Sequence, residues 1–184
     1  MVVKATITLA KSDYLAFALF EASKSKKLKK NRILWWGVLT IACLILLIYF
    51  YRDNDGYNVI VFVIATLYFL CYYPFTQKKR LLSNIEHSVE DNYQYFFNKE
   101  SFIEITKDVL RGVDQTGEEL IYTKEIKEIV ETKDYIFVRY KSPKITILPK
   151  SKFILVELLE ILNAICFQNN IQLIDEQDWK WGVF

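Results

Sequence analysis

Residues 33–51 and 57–75 contain no charged side chain, and each stretch is nineteen residues long. A chain of this kind must find apolar surroundings for both. As helices rising 1.5 Å per residue, each would span about 28 Å, close to the hydrocarbon thickness of a bilayer. Eleven Leu, Ile, Val or Phe residues fill the first stretch and ten the second. At roughly −0.3 to −0.6 kcal/mol apiece near a helix centre, the first gains about 3–7 kcal/mol on insertion. A helix in a soluble core ordinarily keeps a polar stripe, and neither stretch has one. The pattern predicts two transmembrane helices folded into an antiparallel hairpin by Arg52, Asp53, Asn54, Asp55 and Gly56. Trp35 and Trp36 at one end, and Tyr49, Tyr51 and Tyr57 at the other, suit the two membrane interfaces. Pro74 stands at the exit, where a lost backbone bond costs least.

The flanks predict an orientation. Lys24, Lys26, Lys27, Lys29, Lys30 and Arg32 precede the first stretch, and Lys78, Lys79 and Arg80 follow the second. Between them the turn holds one Arg and two Asp. The positive-inside rule then places both termini in the cytoplasm and the turn outside, in a multi-pass membrane protein. The same nine cations are candidate contacts for anionic lipid headgroups, at about 1 kcal/mol per charge near the surface. A role as topology determinants alone explains them equally well. A cleavable signal would not begin its apolar region at Ile33 or run on without a small-residue cleavage site. Thr40-Ile41-Ala42-Cys43 resembles a lipoprotein box only loosely, and the apolar run continues past it. Cys43 and Cys71 fall at different depths along the hairpin, so no disulfide is expected between them, and three cysteines close no disulfide framework.

The remainder alternates like a sheet. Val3, Ala5, Ile7 and Leu9 share one side of a strand, with Lys4, Thr6 and Thr8 on the other. Ser12 or Asp13 offers a cap for a helix from Tyr14 to Lys30 that leads into the first membrane segment. After a polar helical connector at 81–92, strand-like pieces follow at 102–106, 108–113, 120–122, 128–131, 135–140 and 144–148. Turn signals at 114–117, 132–134 and 142–143 separate several of them. Pro149 ends the series, and Ser151 caps a helix over 152–167 that Asn169-Asn170 terminates. With polar residues only at Lys152, Glu157, Glu160 and Asn163, most of its circumference is expected to be buried. The fold class is therefore α+β: a transmembrane hairpin at 33–75 inserted into a small antiparallel sheet or partly open barrel, capped by a C-terminal helix. Residues 1–30 and 81–184 form the cytosolic part. The N-terminal strand is expected at a sheet edge, where it covers unpaired backbone groups. The aromatic tail from Trp179 to Phe184 either packs on this domain or rests at the membrane surface.

Residues 121–137, from Ile121-Tyr122-Thr123-Lys124-Glu125-Ile126 to Asp134-Tyr135-Ile136-Phe137, together with Ile147-Leu148-Pro149-Lys150-Ser151-Lys152-Phe153, resemble the YcxB-like family of bacterial membrane proteins. The motif resemblance covers about residues 100–155, and the layout nearly the whole chain. It implies a membrane hairpin attached to a cytosolic pleckstrin-homology-like domain, and it brings no catalytic residue with it. Tyr122 stands where many relatives have Trp. Physically the motif residues read as core: Ile121, Ile126, Ile129, Ile136 and Val138 point inward, and Phe153 packs the first turn of the final helix. Tyr122 and Lys150 are the only two for which a ligand contact is entertained.

Chemistry is sparse. His87 is the only histidine and has no cysteine or second histidine near it in sequence, so no metal centre is expected. No glycine-rich phosphate loop or nucleophile elbow occurs. Asp114, Glu118 and Glu119 fall at a predicted turn, where solvated carboxylates are ordinary. Neither apolar stretch carries an Asp, Glu, Lys, Arg or His that would mark an ion path. With 24 Lys+Arg against 22 Asp+Glu, the net charge of +2 is too small for a nucleic-acid footprint. The expectation is a non-enzymatic membrane-anchored protein without a cofactor, integral to the bilayer, whose pleckstrin-homology-like domain binds a protein, a peptide or anionic lipid. One alternative is a bacterial immunity protein that blocks a membrane-targeting or secreted toxin. Another is a scaffold of associating hairpins, although Gly37, Thr40 and Ala42 form no GxxxG motif and self-association rests on nothing stronger.

Overall fold

A computed structural model of the chain describes residues 2–52 and 56–181. Three residues of the expected inter-helix turn, Asp53, Asn54 and Asp55, and the end of the aromatic tail, 182–184, lie outside the described residues. The chain divides into two units, Met1–Ala18 with Ser88–Phe184, and Leu19–His87.

The first unit is α+β. Strand β1 (Val3–Thr8) is followed by helix α1 (Lys11–Lys24), whose first two turns belong to this unit. The last residues of the long helix α3 (Gly56–Tyr93) lead into β2 (Glu100–Ile105), β3 (Val109–Asp114) and β4 (Gly117–Tyr122). Then come β5 (Ile126–Thr132), β6 (Tyr135–Tyr140), β7 (Ile145–Pro149), helix α4 (Leu155–Asn169) and β8 (Gln172–Glu176). The strands form two four-stranded sheets, in the orders β1-β2-β3-β4 and β7-β6-β5-β8. Pairing is antiparallel throughout the first sheet, while β8 lies parallel to β5 in the second. The α+β class holds, and the strands expected in a small antiparallel sheet or partly open barrel lie in two four-stranded sheets, one of them mixed. The strand chain breaks at the single 3-10 turn Thr123–Glu125, where the buried Thr123 hydroxyl donates to Lys107 O at 2.9 Å.

Both sheets and α4 share one core. Val3, Ile7 and Ile105 from the first sheet meet Ile129, Ile136 and Val138 from the second and Leu158, Ile161 and Leu162 from the helix. Of the residues expected inside, Ile126, Ile129, Ile136 and Val138 are buried, while Ile121 and Phe153 pack partly buried against the cluster. Helix α4 buries one face only. Val156 and Phe167 stand on its outer side, the latter 93% exposed, so less of its circumference is buried than expected. Its start also differs from expectation. Ser151 sits in a short 3-10 turn, Lys150–Lys152, and Ile154 occupies the cap position without a side-chain bond. At its other end Asn170 takes the left-handed conformation (φ 53°), and Ile171 N–H donates back to Cys166 O at 2.9 Å, a closure that tolerates Asn.

Helix α1 begins one turn earlier than its sequence signal. Ala10 holds the cap position, and its N–H donates to Asp13 Oδ2 at 2.8 Å, so Asp13 acts from the third helical position as the returning half of a capping box. The other oxygen of Asp13 accepts from Tyr135 Oη at 2.8 Å, fixing the helix start to β6. Phe17 meets Phe137 edge-on at 5.4 Å, and Tyr14 stacks on Tyr93 at 4.8 Å.

The second unit is helical. The helix expected from Tyr14 to Lys30 is two helices. Ser25 ends α1 and caps α2 (Lys26–Arg52), its hydroxyl accepting from Leu28 N–H at 3.3 Å. Among the described residues one helix is long and apolar enough to cross a membrane: Lys26–Tyr49, 24 residues with a mean hydropathy of 2.0 and none of that window buried. The connector expected at 81–92 is not separate, because α3 runs unbroken from Gly56 to Tyr93.

Candidate functional site: an open cleft between the sheets

Strand alternation decides what the first sheet turns inward. On β3, Leu110 and Gly112 face the interior, with Ile103 of β2 paired to Gly112 on one side and Glu119 of β4 on the other. Between them and β6–β7 of the second sheet lies a cleft of about 350 Å³, lined by strands, by the start of α1 and by Tyr93 at the end of α3, but by no residue of α4. Its floor is apolar, made by Ile7, Ile103, Leu110, Ile121 and Ile147. A methyl group built on Gly112 meets no atom within 4 Å, so the cleft stays open directly beneath the strand.

The mouth is acidic and phenolic. Asp114 closes the two-residue β3–β4 hairpin, its Oδ1 accepting from Thr116 N–H at 2.7 Å and Gly117 N–H at 3.2 Å. The Thr116 hydroxyl, and then these backbone donors, hold the Asp114 carboxyl below its usual range. Glu119 reaches across the opening to an ion pair with Lys144, on the turn before β7. Tyr140 Oη lies 2.8 Å from Thr146 Oγ1, and burial pushes its phenol up to about 12. Tyr14 is likewise pushed up to about 12, chiefly by burial and then by Tyr93 and the nearby carboxylates. Both phenols therefore remain neutral hydrogen-bonding groups at physiological pH. Arg111 and Glu118 also line the cleft, but their side chains engage one another at 2.6 Å on the opposite face of the sheet, alongside Glu104.

A smaller pocket of about 240 Å³ lies between β1 and the β5–β6 and β7–α4 connections. It mixes Lys133, Lys150 and Lys152 with Asp13 and Asp134. Lys150 is bound to Glu131 at 2.7 Å, both side chains nearly buried at 13% and 10% exposure. Lys150, for which a ligand contact is entertained, is thus held in an internal ion pair. Tyr122 stands 54% exposed on β4, with Lys124 Nζ 5.3 Å from its ring.

The nine cations singled out for lipid contact all belong to the helical unit. Lys24 ends α1, with its Nζ 5.6 Å from the Phe20 ring, and Lys26, Lys27, Lys29 and Lys30 open α2 on exposed positions. Lys78, Lys79 and Arg80 are exposed on α3, while the side chain of Arg32 lies outside the described residues. None of them lines the cleft. Asp114 and Glu119, expected as solvated turn carboxylates, stand at the mouth of the cleft. The signal that distinguishes Glu119 is its period-two spacing from Ile121, which puts both on the inward face of β4. No group of three His, Cys, Asp or Glu side chains able to hold a metal ion occurs among the described residues. Compared with protein-family models and with curated proteins, the chain matches neither a family model nor a curated sequence.

Proposed function

We propose that this protein is a non-enzymatic, membrane-anchored binding module. In this reading α2 and the apolar first half of α3 form a hairpin through a bacterial inner membrane, both termini are cytoplasmic, and the two-sheet domain is pleckstrin-homology-like and of YcxB-like kinship. The observation that carries it is α2, in which Ile33, Leu34, Ile41, Ile45 and Ile48 are all more than half exposed over a length that matches a bilayer. Water is a poor solvent for such a surface: patches of this size mark sites that meet lipid or protein. The charge-free stretch at 57–75 supplies the return crossing, and the basic groups on both flanks bias their ends to the cytoplasmic side. The cleft supplies the binding surface.

Membrane extraction tests the anchor. The full-length protein is expected to pellet with membranes, to resist alkaline carbonate, and to come out only with detergent. Recovery in the supernatant without detergent overturns the anchoring. A tag placed in the 52–56 turn is expected to be labelled from outside intact cells, and labelling only after lysis overturns the orientation. Anionic vesicles are expected to retain more protein than neutral ones if the basic flanks meet headgroups, and equal retention leaves them as topology determinants.

A further inference from the structure

Strand β4 has β3 on one side and, among the described residues, no strand on the other. Thr123 N–H donates to Asp108 O at 2.8 Å, which fixes the parity of the β3–β4 ladder. In an antiparallel pair the bonded positions alternate, so Gly117, Glu119 and Ile121 bond to β3 while the main-chain groups of Glu118, Leu120 and Tyr122 point to the free edge. Among the described residues strand β7 is also an edge, and Ile145, Thr146 and Ile147 on it form the opposite wall of the cleft. Two sheet edges therefore flank one cleft, apolar at its floor and acidic at its mouth. A native sheet normally covers or charges such an edge. Here Glu118 and Glu119 charge the first half of the strand, while Leu120 and Tyr122 are more than half exposed along the rest.

The geometry points to an extended peptide as the occupant, adding as a strand to β4 and dropping an apolar side chain between the sheets, with Lys or Arg two residues away. Six residues of β4 present an edge about 20 Å long, enough for a peptide of similar length. Main-chain bonding to an edge supplies affinity, and the pockets under alternate side chains supply selectivity. The inward positions of an added strand lie beside Ile121 and Glu119. The first asks for an apolar group above Leu110 and the space at Gly112. The second asks for a cation, because Glu119 and Asp114 are the charges that the first sheet turns toward the opening. Lys144 holds Glu119 now, but both partners are more than half exposed, so the pair exchanges for a ligand cation at little cost. Lys144 thus acts as a displaceable clasp across the mouth. This inference rests on reading the domain as a binding module and is independent of the membrane anchor.

The test is fluorescence polarisation on the full chain in lipid nanodiscs, or in buffer alone should it prove soluble. The probes are labelled peptides Thr-Lys-Thr-X-Thr-Lys-Thr with X as Ala, Val, Leu or Phe. Saturable binding by at least one is expected. Replacing both Lys by Glu, or N-methylating alternate amides, is expected to weaken it at least tenfold. Gly112→Leu fills the opening without a steric clash at Cβ and is expected to cost at least tenfold with an unchanged melting temperature. Lys144→Gln removes the competing cation and is expected to tighten binding two- to fivefold. Absence of binding by every peptide, equal binding of the Lys and Glu forms, or full retention after N-methylation overturns the inference. Binding by a chain that proves soluble would sink the anchor and leave the cleft intact, whereas a firmly anchored chain that binds none would do the reverse.

Discussion

Helices α2 and α4 are both built largely of Leu and Ile, and they end in opposite surroundings. In α4 the residues Leu158, Ile161, Leu162 and Ile165 are fully buried, while Glu157, Glu160 and Asn163 face outward. In α2 the corresponding side chains are open, with Ile33 at 70% and Ile45 at 61% exposure, and no polar face offsets them. The difference lies in what each helix has opposite it. A one-sided apolar stripe needs a partner surface of protein, and α4 finds two sheets. An apolar surface all round needs an apolar solvent. Composition is shared; periodicity separates them.

The sharpest way to break this contrast is a matched pair of truncations. Leu162→Ala removes three buried carbons from a closed core and is expected to lower the stability of the domain by about 4 kcal/mol. Leu44→Ala, on the open surface of α2, is expected to leave the domain's melting transition unmoved. Equal losses would mean that α2 is a core helix of an assembly. A charge inverts the test. Leu44→Lys is expected to cost about 3.5 kcal/mol of membrane insertion, read as a larger carbonate-soluble fraction, with the domain's transition again unchanged.

A third substitution asks how dry the domain interior is. Lys150 and Glu131 form an ion pair that water scarcely reaches, and Lys150→Met leaves the carboxylate without its partner. The expected cost is about 3 kcal/mol by thermal or denaturant unfolding. The double variant Lys150→Met with Glu131→Leu is expected to recover most of it. If the single change costs nothing, that region is wetter than the core around Leu162.

Much of the domain is written locally. The alternation of Val3, Ala5 and Ile7 specifies β1, and the turn residues at 114–117 and 132–134 mark the two hairpins β3–β4 and β5–β6. What escaped is what depends on distant partners. Strand β8 is five residues long and gains its pairing from β5, some forty residues earlier. Nothing local marks Thr123 as the corner between two sheets, because its hydroxyl is satisfied by Lys107 from the other side of β3. The break at Ser25 hid inside a basic helical run for the opposite reason: one hydroxyl decides it. The basic flanks were legible as charge clusters. The cleft was not, since it exists only where β4 and β7 leave their edges unpaired, and those strands are separated by a corner and a hairpin.

Acid is expected to give the smallest effect and to act on one region alone. Across the outer face of the first sheet run Lys4, Glu104, Arg111 and Glu118, with contacts of 2.9 Å, 3.4 Å and 2.6 Å. The hydrogen bond from Lys4, and then its charge and those of Arg111, lower the Glu104 carboxyl from its ordinary 4.5, and Arg111 lowers Glu118 in the same way. A carboxylate whose folded value lies below its unfolded one stabilises fully above the unfolded value and loses that contribution as pH falls through the folded one. The domain's melting temperature is therefore expected to hold from neutrality to about pH 5 and to decline below 4.5. Glu104→Gln should flatten that acid limb, and added salt should shrink it because Lys4, Arg111 and Glu118 are exposed. Helix α2 has no Asp or Glu from Lys26 to Arg52, so its membrane retention should not follow the same curve. Parallel loss of both with falling pH would mean that the two regions unfold as one, and that the contrast between α2 and α4 is not between two solvents.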